Sequence, residues 1–387
     1  MVTRRESLAR RRAALGYTQE TFATALGIDR STVARWERGV QSPQPWNQAD
    51  VAKKLKIPVE LLEQYLDEPL RPSPEPGRLS RVLQRPVTVD LVAVAHLRQE
   101  VHALDARYDN APSIPLLADA APTLSQISFL ARDATDGRVR RELKAVEAEA
   151  ATLVGQLVWD ASQRRDQQRA RAYFEQASAA ARELGDVTAE GHALLRASYL
   201  TLYGDRDPRA GLLLTGRVAD LTATTSSVLC GLALLHHAEA HAMLGDLRDC
   251  ETSLGRAEAH FDRVVHGDPA FFLFSESQFT RLAGSCYLFL GEHARAQQFL
   301  EKAANTTRRT SKSRAITLSN LSLAHVRQGD PEAGTTILHE AIDLLEATRG
   351  GGAMNIAFDA ARELRRWREE AFVQDVHDRL LSLMTAA

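Results

Sequence analysis

Cysteine is scarce in this 387-residue chain. Cys230, Cys250 and Cys286 are an odd number, widely spaced, with no C-x-x-C pair. That excludes a disulfide framework and a paired-thiolate knuckle and leaves three reduced core thiols. Long apolar runs are also missing: none approaches the roughly 18 to 20 residues that a membrane helix needs. The opening MVTRRESLARRRAALG is basic and amphipathic, with no apolar signal core. The expectation is therefore a cytoplasmic chain without a membrane partner. Catalytic signatures are lacking as well, with no Gly-rich phosphate loop, no nucleophile elbow and no clustered carboxylates in a supporting context. No enzyme, no cofactor and no metal are expected. Aromatics reach only 6%.

In their place, Ala and Leu recur at helical spacing almost throughout, which predicts a nearly all-α protein. Charge is unevenly spread. Residues 1–57 hold 11 Lys and Arg against 5 Asp and Glu, a balance of +6; with a net charge of −2 the remainder carries −8. A basic head on an acidic body suggests that only the head meets a polyanion. Arg greatly outnumbers Lys, as in proteins of GC-rich bacteria.

Punctuation divides the chain. Up to about Leu66 the pattern predicts five short helices: Thr3–Leu15, Gln19–Leu26 capped by Thr18, Arg30–Arg38 capped by Asp29, Trp46–Leu55, and one opened by Pro58. Gly16, Gly27 and Gly39 end the first three. Residues 1–67 then form one domain, and the Pro-rich stretch 68–87 reads as a semi-extended linker. Residues 88–150 are a helical connecting region, with helices near 113–134 and 136–165. From 151 to 387 the chain repeats, marked by Gly204-Asp205, Gly245-Asp246, Gly291-Glu292 and Gly329-Asp330. Gly350-Gly351-Gly352 reads as a loop before a closing helical pair at 355–383.

Within the head, LGYTQETFATALGIDRSTVARWERG resembles the Cro/repressor (XRE-like) helix-turn-helix family over residues 4–66. The LG-x-TQE opening, the LGI turn and the S-T-V-x-x-W-E-x-G helix occur in order. The resemblance implies a five-helix lambda-repressor-like domain. Residue chemistry agrees, because Ala23, Gly27, Ile28, Val33 and Trp36 are small or apolar where two helices must cross closely. Arg30, Ser31, Thr32 and Arg35 are left on the outer face of the third helix, whose N-terminal end would enter the major groove. By resemblance Arg30, Ser31 and Arg35 read bases, an arginine being able to clamp guanine O6 and N7. The same resemblance implies that Thr18, Gln19 and Arg38 lie toward the phosphates and that Arg12 with Glu37 forms a structural ion pair. Arg4, Arg5, Arg10 and Arg11 are further phosphate candidates or a solvated helix face. The family dimerises, so a homodimer on a palindromic double-stranded operator is implied.

The repeats resemble tetratricopeptide units with elongated helices. Gly284, Tyr287, Gly291, Ala296, Leu300 and Ala303 fall where that pattern places small, aromatic, turn, small, large and small residues. Turn spacings of 41, 46 and 38 exceed the standard repeat of about 34. Helix pairs of this kind stack into an α-solenoid with a concave surface. A helix-turn-helix followed by such repeats resembles peptide-pheromone receptor regulators and a set of regulators from filamentous high-GC bacteria. The implied partner is a peptide or small-molecule effector, or a protein. Trp159, Glu239, Arg281, Ser285 and Asn320 fall on the expected concave face and are the ligand candidates. The run FFLFSESQF (271–279) could line a pocket or a dimer face, or pack between repeats. His237 and His241 in LLHHAEAH sit at packing positions of their repeat, so no metal is assigned to them. The competing reading is an interaction scaffold whose head does little DNA binding.

Overall fold

A computed structural model describes residues 2–37, 41–43, 45–66, 71–73, 78–306 and 311–385. The chain falls into two compact units, Met1–Arg85 and Pro86–Ala387.

In the first unit five helices follow each other: α1 (Glu6–Ala14), α2 (Gln19–Leu26), α3 (Arg30–Glu37), α4 (Pro45–Lys54) and α5 (Val59–Leu66). Thr18 caps α2 through a reciprocal pair of hydrogen bonds with Thr21. Gly27 ends α2 in the left-handed region, at φ 67°, which a residue with a Cβ rarely adopts. These local signals separate α2 from α3 by a short turn, and the two helices pack against each other. Leu8, Phe22, Ala23, Val33, Trp36, Val51, Leu55 and Leu62 form the core beneath them. The fold is all-α but for one short feature: β1 (Val2–Arg4) pairs antiparallel with β2 (Arg71–Ser73), Val2 opposite Ser73. A proline such as Pro72 is tolerated at the edge of so short a ladder. Thus residues 68–87, read as an extended linker, contain β2 and a further helix, α6 (Arg78–Gln84).

The second unit is a continuous stack of helices. It opens with α7 (Leu91–Asp105), α8 (Ser113–Asp133) and α9 (Gly137–Ala161). It continues with α10 (Gln167–Leu184), α11 (Val187–Tyr199), α12 (Pro208–Thr222), α13 (Ser227–Met243) and α14 (Leu247–Phe261). The last six are α15 (Ser277–Phe289), α16 (His293–Thr306), α17 (Lys312–Arg327), α18 (Pro331–Thr348), α19 (Gly351–Glu363) and α20 (Ala371–Thr385). Because α9 runs unbroken through residues 150 and 151, the connecting region and the repeats share one array. Consecutive helices pack pairwise, as in α9 with α10, α13 with α14 and α17 with α18. Gly284 shows why small residues are required in a pair: a Cβ there would lie 2.6 Å from Leu300 Cγ and 3.3 Å from the Ala296 carbonyl oxygen.

The turns inside the pairs mostly follow one design. Gly245, Gly291 and Gly329 have φ of 82°, 79° and 85°. In each, the next residue's N–H returns to a carbonyl of the preceding helix: Asp246 to His241, Glu292 to Tyr287 and Asp330 to His325. Gly204-Asp205 differs from the sequence expectation. Leu200–Gly204 is a π-helical turn, and Arg206 takes the positive φ (55°) instead. The same glycine turn occurs unexpectedly at Gly185-Asp186, between α10 and α11.

Among the described residues one helix, α8, is long and apolar enough to cross a membrane by length and composition, with a mean hydropathy of 1.2. This corrects the expectation that no segment would reach that measure. Its apolar stripe of Leu116, Leu124, Ile127 and Leu130 is buried within the array.

Candidate DNA interface and repeat-domain cavity

The outer face of α3 carries Arg30, Ser31 and Arg35 exposed and Thr32 half-exposed. The opposite face buries Val33, Trp36 and Glu37. Trp36 is 3% exposed, so it belongs to the core. Arg35 folds along the helix, its Nη2 3.5 Å from Ser31 Oγ and 3.3 Å from Thr32 Oγ1. The Asp29 carboxylate accepts from the Ser31 N–H at 2.7 Å at the start of α3. Its pKa is lowered by Ser31, through side chain and backbone, with Arg35 adding to the effect.

What holds α3 is a buried polar cluster. Arg12 Nε donates to Glu37 Oε1 at 2.6 Å, and Gln19 Nε2 donates to Glu37 Oε2 at 2.7 Å. One carboxylate thus ties α1, α2 and α3 together, and the Gln19 amide nitrogen is committed to that brace. Thr18 is exposed at the tip of α2 beside it. Two of the four arginines read as phosphate candidates have internal duties. Arg5 bonds the Trp36 and Gln41 carbonyls and Ser42 Oγ. Arg11 bonds the Leu55 and Lys56 carbonyls at the end of α4, both at 2.9 Å. Arg10 is exposed. Arg38 lies outside the described residues, as do Val40 and Gln44 of the turn that follows.

The second unit holds a partly open cavity of about 1280 Å³. Trp159, Glu239, Arg281, Ser285 and Asn320 all line it, although they come from four helices. Glu239 is its polar anchor. At 3% exposure it accepts from Ser285 Oγ at 2.5 Å and from the Tyr203 hydroxyl, and lies 3.2 Å from His236 Nδ1. Burial would raise its pKa, but the bonds from His236, Ser285 and Tyr203 outweigh that and lower it. Burial drives His236 the other way from protonation, lowering its pKa. Along one wall runs a ladder of arginines and aromatics. The Arg164 guanidinium lies 4.5 Å from the Trp159 ring centre and 5.5 Å from that of Tyr203, and Arg196 lies 5.5 Å from that of Tyr199.

At one side of the cavity the array meets itself. Lys312, at the start of α17, pairs with Asp160, near the end of α9, at 2.8 Å, with both side chains buried. Ser113 joins them, donating to Asp160 at 2.7 Å and accepting from Lys312 at 2.7 Å. The Gly351 N–H donates to Asp160 at 2.8 Å, and Ser313 donates twice to the Asp109 carboxylate. Gly350-Gly351-Gly352 is therefore a contact and not a free loop. A Cβ on Gly351 would lie 2.8 Å from the Asp160 carbonyl oxygen and 2.9 Å from Gln163 Cα. The aromatic run divides its duties: Phe274 and Phe279 pack on the core, while Phe272 is exposed and meets His192 edge-on at 5.8 Å.

His241, Asp246 and Asp249 approach closely enough to suggest cation ligands. The His241–Asp246 pairing recurs as His325–Asp330 at the next-but-one turn, at 3.8 and 3.5 Å. It is a feature of the repeated turn.

Comparison with known proteins adds a family at the head. Residues 8–62 match the helix-turn-helix family model, and this segment is a helix-turn-helix domain of the XRE type. No curated relative matches. Among solved structures, the chain is similar to a STAND signal-transduction ATPase with a tetratricopeptide repeat sensor, PH0952 from Pyrococcus horikoshii. Identity is 15%, coverage 96% of this chain and 54% of that one, and the TM-score 0.44. This chain therefore spans about half that protein's length. It is also similar to the apo quorum sensor NprR from B. thuringiensis (11% identity, 88% and 91% coverage, TM-score 0.45). A third is Bacillus thuringiensis PlcR in complex with the peptide PapR7 and DNA (13% identity, 68% and 95% coverage, TM-score 0.30). At these scores the likeness carries no ligand or partner across.

Proposed function

We propose that the chain, from the helix-turn-helix domain at its head, is a sequence-specific transcriptional regulator whose helical array senses an effector. The observation that carries this is the α3 face: Arg30, Ser31, Thr32 and Arg35 project from a helix whose inner side is fixed by the Glu37 cluster. A braced helix with exposed guanidinium groups is what major-groove reading requires. Thr18, Gln19 and Arg38 are assigned to the phosphates that set its register. In this reading the protein is a cytoplasmic, non-enzymatic bacterial homodimer on a palindromic operator. The repeat cavity holds the effector through Trp159, Glu239, Arg281, Ser285 and Asn320. The effector acts by preferring one arrangement of the protein over another.

Selection of genomic DNA fragments by the purified chain at two salt concentrations tests the head. The expected outcome is one shared palindromic site whose affinity falls steeply with salt. Arg30→Ala and Arg35→Ala should each cost roughly 1–3 kcal/mol on that site and relax the base preference. Equal enrichment by the wild type and the double variant would reject base reading and favour the scaffold.

A further inference from the structure

Most charges around the cavity already have partners. Lys312 pairs with Asp160, Arg327 with Glu363 and Arg362 with Asp359, each at 2.8 Å. Glu239 is satisfied by its three neighbours. Arg164, Arg196 and Arg281 are different. All three line the cavity and are half-buried, yet none has a carboxylate within ion-pair distance among the described residues. Arg196 spends one donor on His192 at 3.3 Å. Arg281 makes no hydrogen bond among them. The carboxylate that Arg196 acts on electrostatically is Asp105, whose pKa burial raises despite that arginine. A guanidinium carries five donors in a planar fork suited to carboxylate or phosphate. Three along one cavity leave guanidinium donors unspent, although acidic and basic side chains balance over the lining as a whole.

Two further groups line the same cavity. Asn320 is only 6% exposed and lines the cavity, and its amide, which makes no hydrogen bond among the described residues, is reached from the cavity and not sealed off. Trp159, also 6% exposed and lining it, has an indole N–H with no partner. The Trp159 N–H is sealed from the cavity, so Asn320 is the polar side chain that offers unspent donors and an acceptor to a bound molecule. Around them Trp159, Tyr199 and Tyr203 offer ring faces, Tyr199 and Tyr203 with centres 5.9 Å apart.

We infer that the cavity binds a compact organic acid, a planar ring system bearing a carboxylate or a phosphate. Arg196 and Arg281 receive the anionic group, Asn320 hydrogen-bonds the ligand's polar edge, and the aromatic wall stacks on its ring. This rests on the reading of the cavity as the effector site and adds the chemical class. It also gives a binding duty to Arg196.

Titration calorimetry on the full chain tests it with three probes of one shape: 2-naphthoate, 2-naphthyl phosphate and neutral 2-naphthamide. Either acid should bind about tenfold or more tighter than the amide, and the tighter acid identifies the anion. In the Arg196→Gln/Arg281→Gln variant that margin should vanish while the amide binds as before. Arg281→Lys keeps the charge and loses the fork, so it should give an intermediate margin if the double variant fails to fold. Amide binding equal to both acids, a margin that survives in the variants, or no acid binding at about 1 mM would overturn the inference. DNA selection is scored separately. Loss of acid binding with operator selection intact removes only the ligand class, whereas acid binding without selection removes the regulator.

Discussion

His192 shows how far a single side chain can depart from its solution behaviour. It lines the cavity beside Arg196, and burial first, then that arginine, hold its pKa down to about 3. His237, in contact with Thr215 at 3.0 Å, is lowered to about 4 by burial, with His241 and Arg256 adding to it. Between those values and about 6.5 the unfolded chain takes up protons that the folded chain refuses. Stability is therefore full near neutral pH and falls as pH drops through this window. Each such histidine contributes at most about 1.4 kcal/mol per pH unit. Glu239, whose pKa is lowered, acts in the same direction further down, its contribution being lost as pH falls through its folded value. Thermal melts of the full chain from pH 7.5 to 4 should show a steady decline. His192→Gln should flatten part of it, and an unchanged slope in that variant would count against a neutral buried His192.

At the scale of the element, α3 owes its position to one buried carboxylate. Glu37 is 1% exposed and Arg12 7%, so removing either partner strands the other. Glu37→Ala should cost the first unit about 3–5 kcal/mol, with much of that returned by adding Arg12→Met. Hydrogen exchange of the α1–α3 amides under mild denaturant reads this, and a loss below about 1 kcal/mol would show the brace to be incidental. This pairing was legible only through the family resemblance, whereas the bounds of α2 and the start of α3 follow from short-range signals, Thr18, Gly27 and Asp29. The fates of Arg5 and Arg11 were not legible. Their partners, Gln41 and Leu55, lie 36 and 44 residues away, and only the packed unit decides whether a basic side chain caps a helix or faces solvent. In the repeats, glycines at three regular turns were readable as punctuation, whereas the turn at Gly204 became π-helical under local packing, Gln167 lying where a Cβ would stand.

For the molecule as a whole, the second unit depends on a contact that no local pattern announces. Asp160 and Lys312 meet only because small rotations between successive helix pairs add up until α17 and α19 reach α9. Concave-face periodicity places Trp159, Glu239, Arg281, Ser285 and Asn320 around one cavity. Periodicity carries no information on how far the stack curves, so the closure and the ladder through Arg164 and Arg196 lay beyond it. Closure has a mechanical consequence. An open solenoid distributes stability over nearest neighbours, whereas a closed one couples its first helices to its last. Lys312→Met leaves Asp160 buried with only Ser113 and Gly351 as partners and should cost about 3–5 kcal/mol. Gly351→Ala pushes a methyl group against Asp160 and Gln163 backbone at 2.8 and 2.9 Å, with a cost set by how far α19 must withdraw. In both variants exchange protection should fall together at the C-terminal end of α9 and the N-terminal ends of α17 and α19, while α13 and α14, distant in the stack, keep theirs. If protection falls evenly along the array, the clasp is only one contact among many. If it falls at the junction alone, the clasp governs access to the cavity, and a ligand bound inside should slow exchange at that same junction.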